Sequence, residues 1–179
     1  MIKKSNIALI GFMGTGKTVI GARLAKLLNK GFIELDQLIE RKASKSIPQI
    51  FAEDGEIRFR EYEMELCKEV SQRENVVIAC GGGIVLNKVN IDYLKQSSIL
   101  ICLKTTPEVI FQRISKDGKE KRPLLNKPDP KAEIKQLLKF RAPFYNAATE
   151  YQIDTSKLSI DQVVEKIRKI FESAQTQAF

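Results

Sequence analysis

Short, wholly apolar runs alternate with longer amphipathic stretches along this chain. NIALIG (6–11), GFIEL (31–35), VVIAC (76–80) and SILICL (98–103) read as strands, with YQID (151–154) as a fifth. Helices are expected near 17–29, 37–44, 57–72, 107–115, 131–147 and 160–173. Within 57–72, Phe59, Tyr62, Leu66 and Val70 recur at the spacing of one buried helical face, with charges between them. Strands that are apolar throughout and separated by helices indicate a parallel sheet covered on both faces. No repeat or linker divides the chain, so residues 1–179 are expected to form one domain. The polar stretch KDGKEKRPLLNKPDP (116–130) reads as a mobile loop, and the final SAQTQAF as a frayed tail.

Composition narrows the function classes. At 43% hydrophobic in 179 residues, the chain can build one well-formed core. The apolar run after MIKKSN is too brief for a signal peptide, and no stretch approaches a membrane span, so a cytoplasmic setting is expected. The three cysteines form no CxxC pair; Cys80 and Cys102 sit in apolar runs and read as buried, inert thiols. The absence of histidine excludes His-based triads and His metal sites. The net charge of +8 raises a nucleic-acid reading, but its distribution argues against one. Residues 113–141 hold ten basic and four acidic side chains, and no aromatic residue interleaves with them before Phe140. Such a local field suits a small, highly charged anion, or else a solvated helix face.

GFMGTGKT (11–18) supplies the chemistry. It matches G-x-x-x-x-G-K-[ST] and lies between an expected strand and an expected helix, the context a P-loop requires. Gly11, Gly14 and Gly16 let backbone N–H groups turn inward toward phosphate oxygens, and the helix start adds its positive end. Lys17 can reach the β- and γ-phosphates, and the Thr18 hydroxyl can ligate Mg²⁺. NKPD (126–129) mimics a guanine-reading element, yet it lies in the polar loop and no D-x-x-G occurs anywhere, so a GTPase is not expected.

A second metal-side acid is needed. Strand VVIAC runs into GGG and offers none, whereas in GFIELD Glu34 and Asp36 flank Leu35, so strand alternation is expected to aim both toward one face. The plainer alternative makes Glu34 a strand-end charge and Asp36 a helix N-cap. Gly81, Gly82 and Gly83 imply either a close backbone approach by substrate or a simple turn into the next helix.

GFMGTGKT, Asp36 followed by the helix QLIE, SIPQIFAEDGEIRFREYE, GGG, RPLL and RAPFY together resemble the shikimate kinase family over nearly the whole chain. The most specific element is G-E-x-x-F-R-x-x-E, carried by Gly55, Glu56, Phe59, Arg60 and Glu63. The resemblance implies a three-layer α/β P-loop NTPase fold of the nucleoside monophosphate kinase type. It would have a five-stranded parallel sheet, a substrate region near 34–63 and a mobile lid near 114–128. It implies Mg²⁺-dependent transfer of the ATP γ-phosphoryl group to the 3-hydroxyl of shikimate, a step in chorismate and aromatic amino acid synthesis. Asp36 would accept the proton, with Lys17 and Arg122 as the catalytic cations. Gly14, Thr15, Gly16, Lys17, Thr18, Val19, Arg113, Arg122 and Lys157 would bind ATP. Arg60, Gly81, Gly82, Gly83 and Arg141 would join Asp36 in binding shikimate. Thr18 and, through water, Glu34 would hold the metal. The partners expected are these small molecules alone, without nucleic acid or membrane, for a monomer.

The chain departs from the family pattern in two places: Glu34 stands where the family usually has an aspartate, and Leu158 and Ile160 where members often have a basic residue and a proline in the adenine loop. They leave two alternatives: a kinase for another hydroxy acid such as gluconate, or a non-catalytic ligand sensor. Arg60 could also pair only with Glu56 or Glu63 on its own helix.

Overall fold

Parallel pairing of every neighbouring strand orders the sheet β2-β3-β1-β4-β5 in the computed structural model, which describes residues 4–116, 128–149 and 151–176. The strands are β1 (Asn6–Ile10), β2 (Gly31–Glu34), β3 (Val76–Ala79), β4 (Ser98–Lys104) and β5 (Tyr151–Asp154), all close to the expected positions. The major helices are α1 (Lys17–Leu27), α2 (Leu35–Ala43), α4 (Gly55–Ser71), α5 (Lys88–Ser97), α6 (Pro107–Ser115), α7 (Pro130–Ala148) and α8 (Ile160–Thr176). A short α3 (Ile47–Gln49) runs into a π-helical turn, Ile50–Asp54, ahead of α4.

The strand sequences sort themselves between two cores because successive side chains point to opposite faces. Ala8 and Ile10 of β1, Ile78 of β3 and Leu100 and Cys102 of β4 enter one core. Residues from α2, α4, α5 and α7 complete it, including Leu35, Leu66, Leu94 and Tyr145. Ile7, Leu9, Val77, Ile99 and Ile101 enter the other, beneath Leu24 of α1 and Ile167 of α8. A third cluster, Phe12, Ile110, Ile114 and Ile134, packs α6 and α7 under the P-loop. Burying one such Leu or Ile stabilises the fold by about 1.5–3 kcal/mol.

Helix starts follow local chemistry. Ser46 and Gln49 form a reciprocal capping box at α3. Thr106 precedes Pro107 at the start of α6 and accepts from Val109 N. Asp129, the acid of NKPD, is the N-cap of α7 and accepts from Ala132 N at 3.0 Å. This structural role accounts for the acid of NKPD, of which the described residues include Pro128 and Asp129.

Some of the helical structure was not expected from the sequence. The run Lys88–Ser97 buries only Asn90, Ile91 and Leu94, so its apolar face is too sparse to read as periodic. Its usable signal was Asn87, whose side chain accepts from Val89 N as an N-cap. The turn Ile47–Asp54 is likewise too short to show a period. The expected frayed tail is corrected in part: α8 continues to Thr176, where Gln175 donates to Lys4 O and Thr176 to Glu172 O.

Candidate active site

Because β2, β3 and β1 are parallel neighbours, Glu34, the glycines 81–83 and the P-loop leave the sheet at the same edge. Open α/β sheets bind ligands at this edge. The P-loop takes the backbone that its glycines permit: Gly14 has φ 76° and Gly16, at the start of α1, φ 97°. A Cβ on Gly11 would lie 2.3 Å from Leu103 O, so the loop packs directly on β4. Thr15 is buried and donates to Phe12 O at 2.7 Å, pinning the turn from within. Lys17 Nζ donates to Gly11 O at 2.8 Å and Phe12 O at 2.9 Å, which holds its charge over the cradle. Val19 is exposed on the first turn of α1.

Arg113 braces this loop from behind. Its Nη1 donates to Gly14 O at 3.0 Å and Thr155 Oγ1 at 3.2 Å, and its Nη2 donates to Thr155 O at 2.9 Å. Thr155 in turn donates toward Thr15 O and Lys104 O. One guanidinium therefore ties α6, the P-loop and the segment after β5 together. Lys157, expected in the ATP set, lines a cleft of about 620 Å³ with Asp154, Leu158 and Lys166.

On the acid side, Thr18 Oγ1 donates to Glu34 Oε1 at 2.6 Å, and Gln37 Nε2 to Glu34 Oε2 at 2.7 Å. The expectation that Glu34 and Asp36 share a strand is corrected. β2 ends at Glu34, Leu35 is fully buried, and Asp36 sits in the first turn of α2. Asp36 is not the N-cap either; that position belongs to Glu34, which makes no side-chain cap bond. Turning into the helix instead brings Asp36 against the glycine loop, where a Cβ on Gly81 would stand 2.8 Å from Asp36 Oδ1.

Two of the three glycines, Gly81 and Gly83, are explained by charged side chains pressed onto them, whereas a Cβ at Gly82 would make only ordinary contacts. The Gly81 Cβ position is also 3.3 Å from Glu63 Oε1, and that of Gly83 is 2.7 Å from Arg60 Nη1. The Gly82 position is 3.4 Å from Met13 N and 3.7 Å from Arg141 Nη1. Arg60 pairs within its own helix, to Glu63 Oε2 at 2.6 Å and to Glu56 Oε1 at 3.0 Å, as the plainer reading allowed. These pairs also hold its guanidinium against Gly83. Arg141 reaches Gly82 O at 3.4 Å from the middle of α7, with its guanidinium over the Phe12 ring and its buried Nε unpartnered.

Glu63 and Tyr145 were quoted in sequence motifs but given no role there. Glu63 is almost fully buried, its Oε1 has no hydrogen-bond partner, and burial raises its carboxyl against the opposing pull of Arg60. Tyr145 donates to Gly82 O at 2.6 Å. The i, i+4 spacing of Arg141 and Tyr145 on one helix was the available signal. Arg122 and most of the expected lid near 114–128 lie outside the described residues.

A P-loop with its lysine and threonine, an acid beside the threonine, and two arginines against the neighbouring glycine loop define the class: a P-loop kinase for a small anionic acceptor. The shikimate kinase family model matches residues 13–172. The chain is 49% identical over 162 residues to the shikimate kinase of Pelotomaculum thermopropionicum, covering 90% of this chain and 92% of that one. It is 44% identical over 166 residues to that of Caldanaerobacter subterraneus subsp. tengcongensis, covering 93% and 95%. The structure of the Acinetobacter baumannii shikimate kinase in complex with shikimate superposes with a TM-score of 0.88 at 38% identity, covering 95% of this chain and 94% of that one. The chain belongs to the shikimate kinase family, and with it to the ATP-dependent small-molecule kinases. The gluconate-type and sensor alternatives are not favoured by these matches. Among the described residues, no helix is long and apolar enough to cross a membrane.

Proposed function

We propose that this chain transfers the γ-phosphoryl group of ATP to the 3-hydroxyl of shikimate, as a monomer that needs no macromolecular partner. One observation carries the assignment of roles. A Cβ built on Gly82 would stand 3.4 Å from Met13 N in the P-loop and 3.7 Å from Arg141 Nη1, so the glycine loop lies beside both the phosphate cradle and Arg141. A ring whose carboxylate sits on Arg60 and Arg141 would thus lie within a few ångströms of the terminal phosphate. Guanidinium forks suit that carboxylate because they fix orientation as well as charge. Gly81 and Gly83 keep Asp36, Glu63 and Arg60 close to the same ring.

The P-loop amides from Gly14 to Val19 and the Lys17 ammonium cradle the triphosphate. Arg113 and Lys157 border the nucleotide from the side of Thr155. As the acceptor oxygen forms its bond to the γ-phosphorus, the bond from that phosphorus to the β,γ-bridging oxygen breaks, and ADP leaves. The hydroxyl proton passes to a carboxylate oxygen of Asp36. Lys17, and Arg122 from the lid sequence, supply charge where the transition state spreads it.

The donor set fits Mg²⁺. Thr18 Oγ1 and Glu34 Oε1 are hard oxygens 2.6 Å apart, facing the cradle from α1 and β2. An ion that retains waters and uses substrate phosphates needs few protein ligands. Thr18 would ligate directly and Glu34 through water, and the bound ion would neutralise charge on the β- and γ-phosphates.

The test is acceptor choice with product identification. Shikimate should be consumed with ATP, with ³¹P NMR placing the new phosphate ester on the 3-oxygen, while gluconate is turned over negligibly. Comparable turnover of gluconate would overturn the assignment.

A further inference from the structure

Gly82 offers one carbonyl oxygen to two donors on a single helix. Tyr145 Oη donates to it at 2.6 Å, while Arg141 Nη1 stands at 3.4 Å, the outer limit of a useful hydrogen bond. The two residues lie one turn apart on α7 and reach the same atom from the same face. Tyr145 is 5% exposed and its ring belongs to the core under the site, so the hydroxyl has a fixed place. Burial also raises its phenol well above the ordinary value, which keeps it a neutral donor across the working pH range. Arg141 is held at Gly82 O only by this long bond: its Nε is buried without a partner, its guanidinium lies over the Phe12 ring, and it also stands against the Tyr145 hydroxyl, pulling that phenol down against burial. This carbonyl is part-buried, so losing its short donor is costly and favours the donor that remains beside it.

We propose that Tyr145 is a positioning residue for acid recognition. By making the short bond to Gly82 O it leaves Arg141 only the long one, so that the guanidinium stays available to the substrate carboxylate, and it fixes the Gly82–Gly83 peptide against which Arg60 rests. Without the hydroxyl, Arg141 is the nearest donor to Gly82 O and is drawn onto the backbone, away from the substrate. The inference rests on the reading of Arg141 as a carboxylate ligand.

Tyr145→Phe removes one oxygen and keeps the ring in its core. Loss of one neutral hydrogen bond corresponds to about a fivefold effect, so KM and the equilibrium Kd for shikimate should rise about five- to tenfold. KM for ATP should stay within about twofold. In an Arg141→Lys background the same change should add less than about twofold to the shikimate Kd, because the group it liberates is gone. A neutral analogue with hydroxymethyl in place of the carboxylate should bind Tyr145→Phe and the unsubstituted enzyme equally. An equal fold-loss in both backgrounds, or a matching rise in KM for ATP, would mark a purely structural residue and overturn the proposal. So would unchanged shikimate affinity in Tyr145→Phe alongside weakened binding in Arg141→Lys. If Arg141→Lys itself leaves shikimate affinity intact, the carboxylate assignment fails and this inference falls with it.

Discussion

Adding one methyl group at Gly83 separates function from stability at this site. The residue has φ −93° and ψ −1°, a conformation any L-residue adopts, so Gly83→Ala imposes no backbone strain. The new Cβ would stand 2.7 Å from Arg60 Nη1, 3.0 Å from Nη2 and 3.2 Å from Cζ, with nothing else among its three nearest atoms. Ordinary contact begins near 3.4 Å, so the guanidinium must retreat by about 0.7 Å. It can do so because it terminates a flexible side chain, yet its 2.6 Å bond to Glu63 and its place at the carboxylate must both shift. Lower entropy of the unfolded chain contributes about 0.4–1 kcal/mol in favour of alanine, and the weakened Arg60–Glu63 contact costs a similar amount. The melting temperature should therefore change by less than about 4 °C. Misplacing a binding group by most of an ångström costs on the order of tenfold or more in kcat/KM for shikimate, about 1.4 kcal/mol. Thermal unfolding, with initial rates measured against each substrate, reads both quantities. Unchanged kcat/KM for shikimate would refute the claim that Arg60 acts from its place against Gly83. A large loss of stability would refute the claim that only the guanidinium stands in the way.

Further outcomes follow from the acid pair and the thiols. Glu34→Asp shortens the arm that now reaches Thr18 Oγ1, so the Mg²⁺ concentration for half-maximal rate should shift by about threefold or more; an unchanged metal titration removes Glu34 from the metal site. Burial pushes the Cys80 thiol up to about 12 and the Cys102 thiol to about 11, and raises that of Cys67 as well. At pH 8 none of the three should react with Ellman's reagent until denaturant is added, and rapid native labelling would contradict their burial. The sign for stability follows: an unfolded thiol, near 9, loses its proton first as pH rises. The thiols' contribution is complete below about 9 and is lost as pH climbs through 11 to 12.

Legibility in the sequence tracked the kind of physics involved. Strands apolar at every position and helices with a dense apolar face were readable because burial imposes a period, which is why β1, β3, β4 and α4 emerged near their true limits. α5 was invisible because its packing rests on few residues, with Asn90 among them. The P-loop was legible because glycine positions and the lysine are dictated by phosphate geometry. The meaning of Gly81–Gly83 was only half legible: the need for close approach shows in the letters, but Asp36, Glu63, Arg60 and Arg141 as the approaching groups come from three different helices. Asp36 illustrates the same limit. Its usefulness depends on where β2 yields to α2, a one-residue boundary that propensity does not resolve. Tyr145 was hidden because its partner, Gly82 O, is a backbone atom sixty-three positions away.

The central claim is that a triphosphate cradle and an arginine-lined acid pocket act on one another across the Gly82 contact. Its most direct test is ADP release by the purified chain with ATP and Mg²⁺, with and without shikimate. The account predicts negligible release alone and, on adding shikimate, one ADP for each phosphorylated product. Shikimate binding that leaves ATP unconsumed would contradict it.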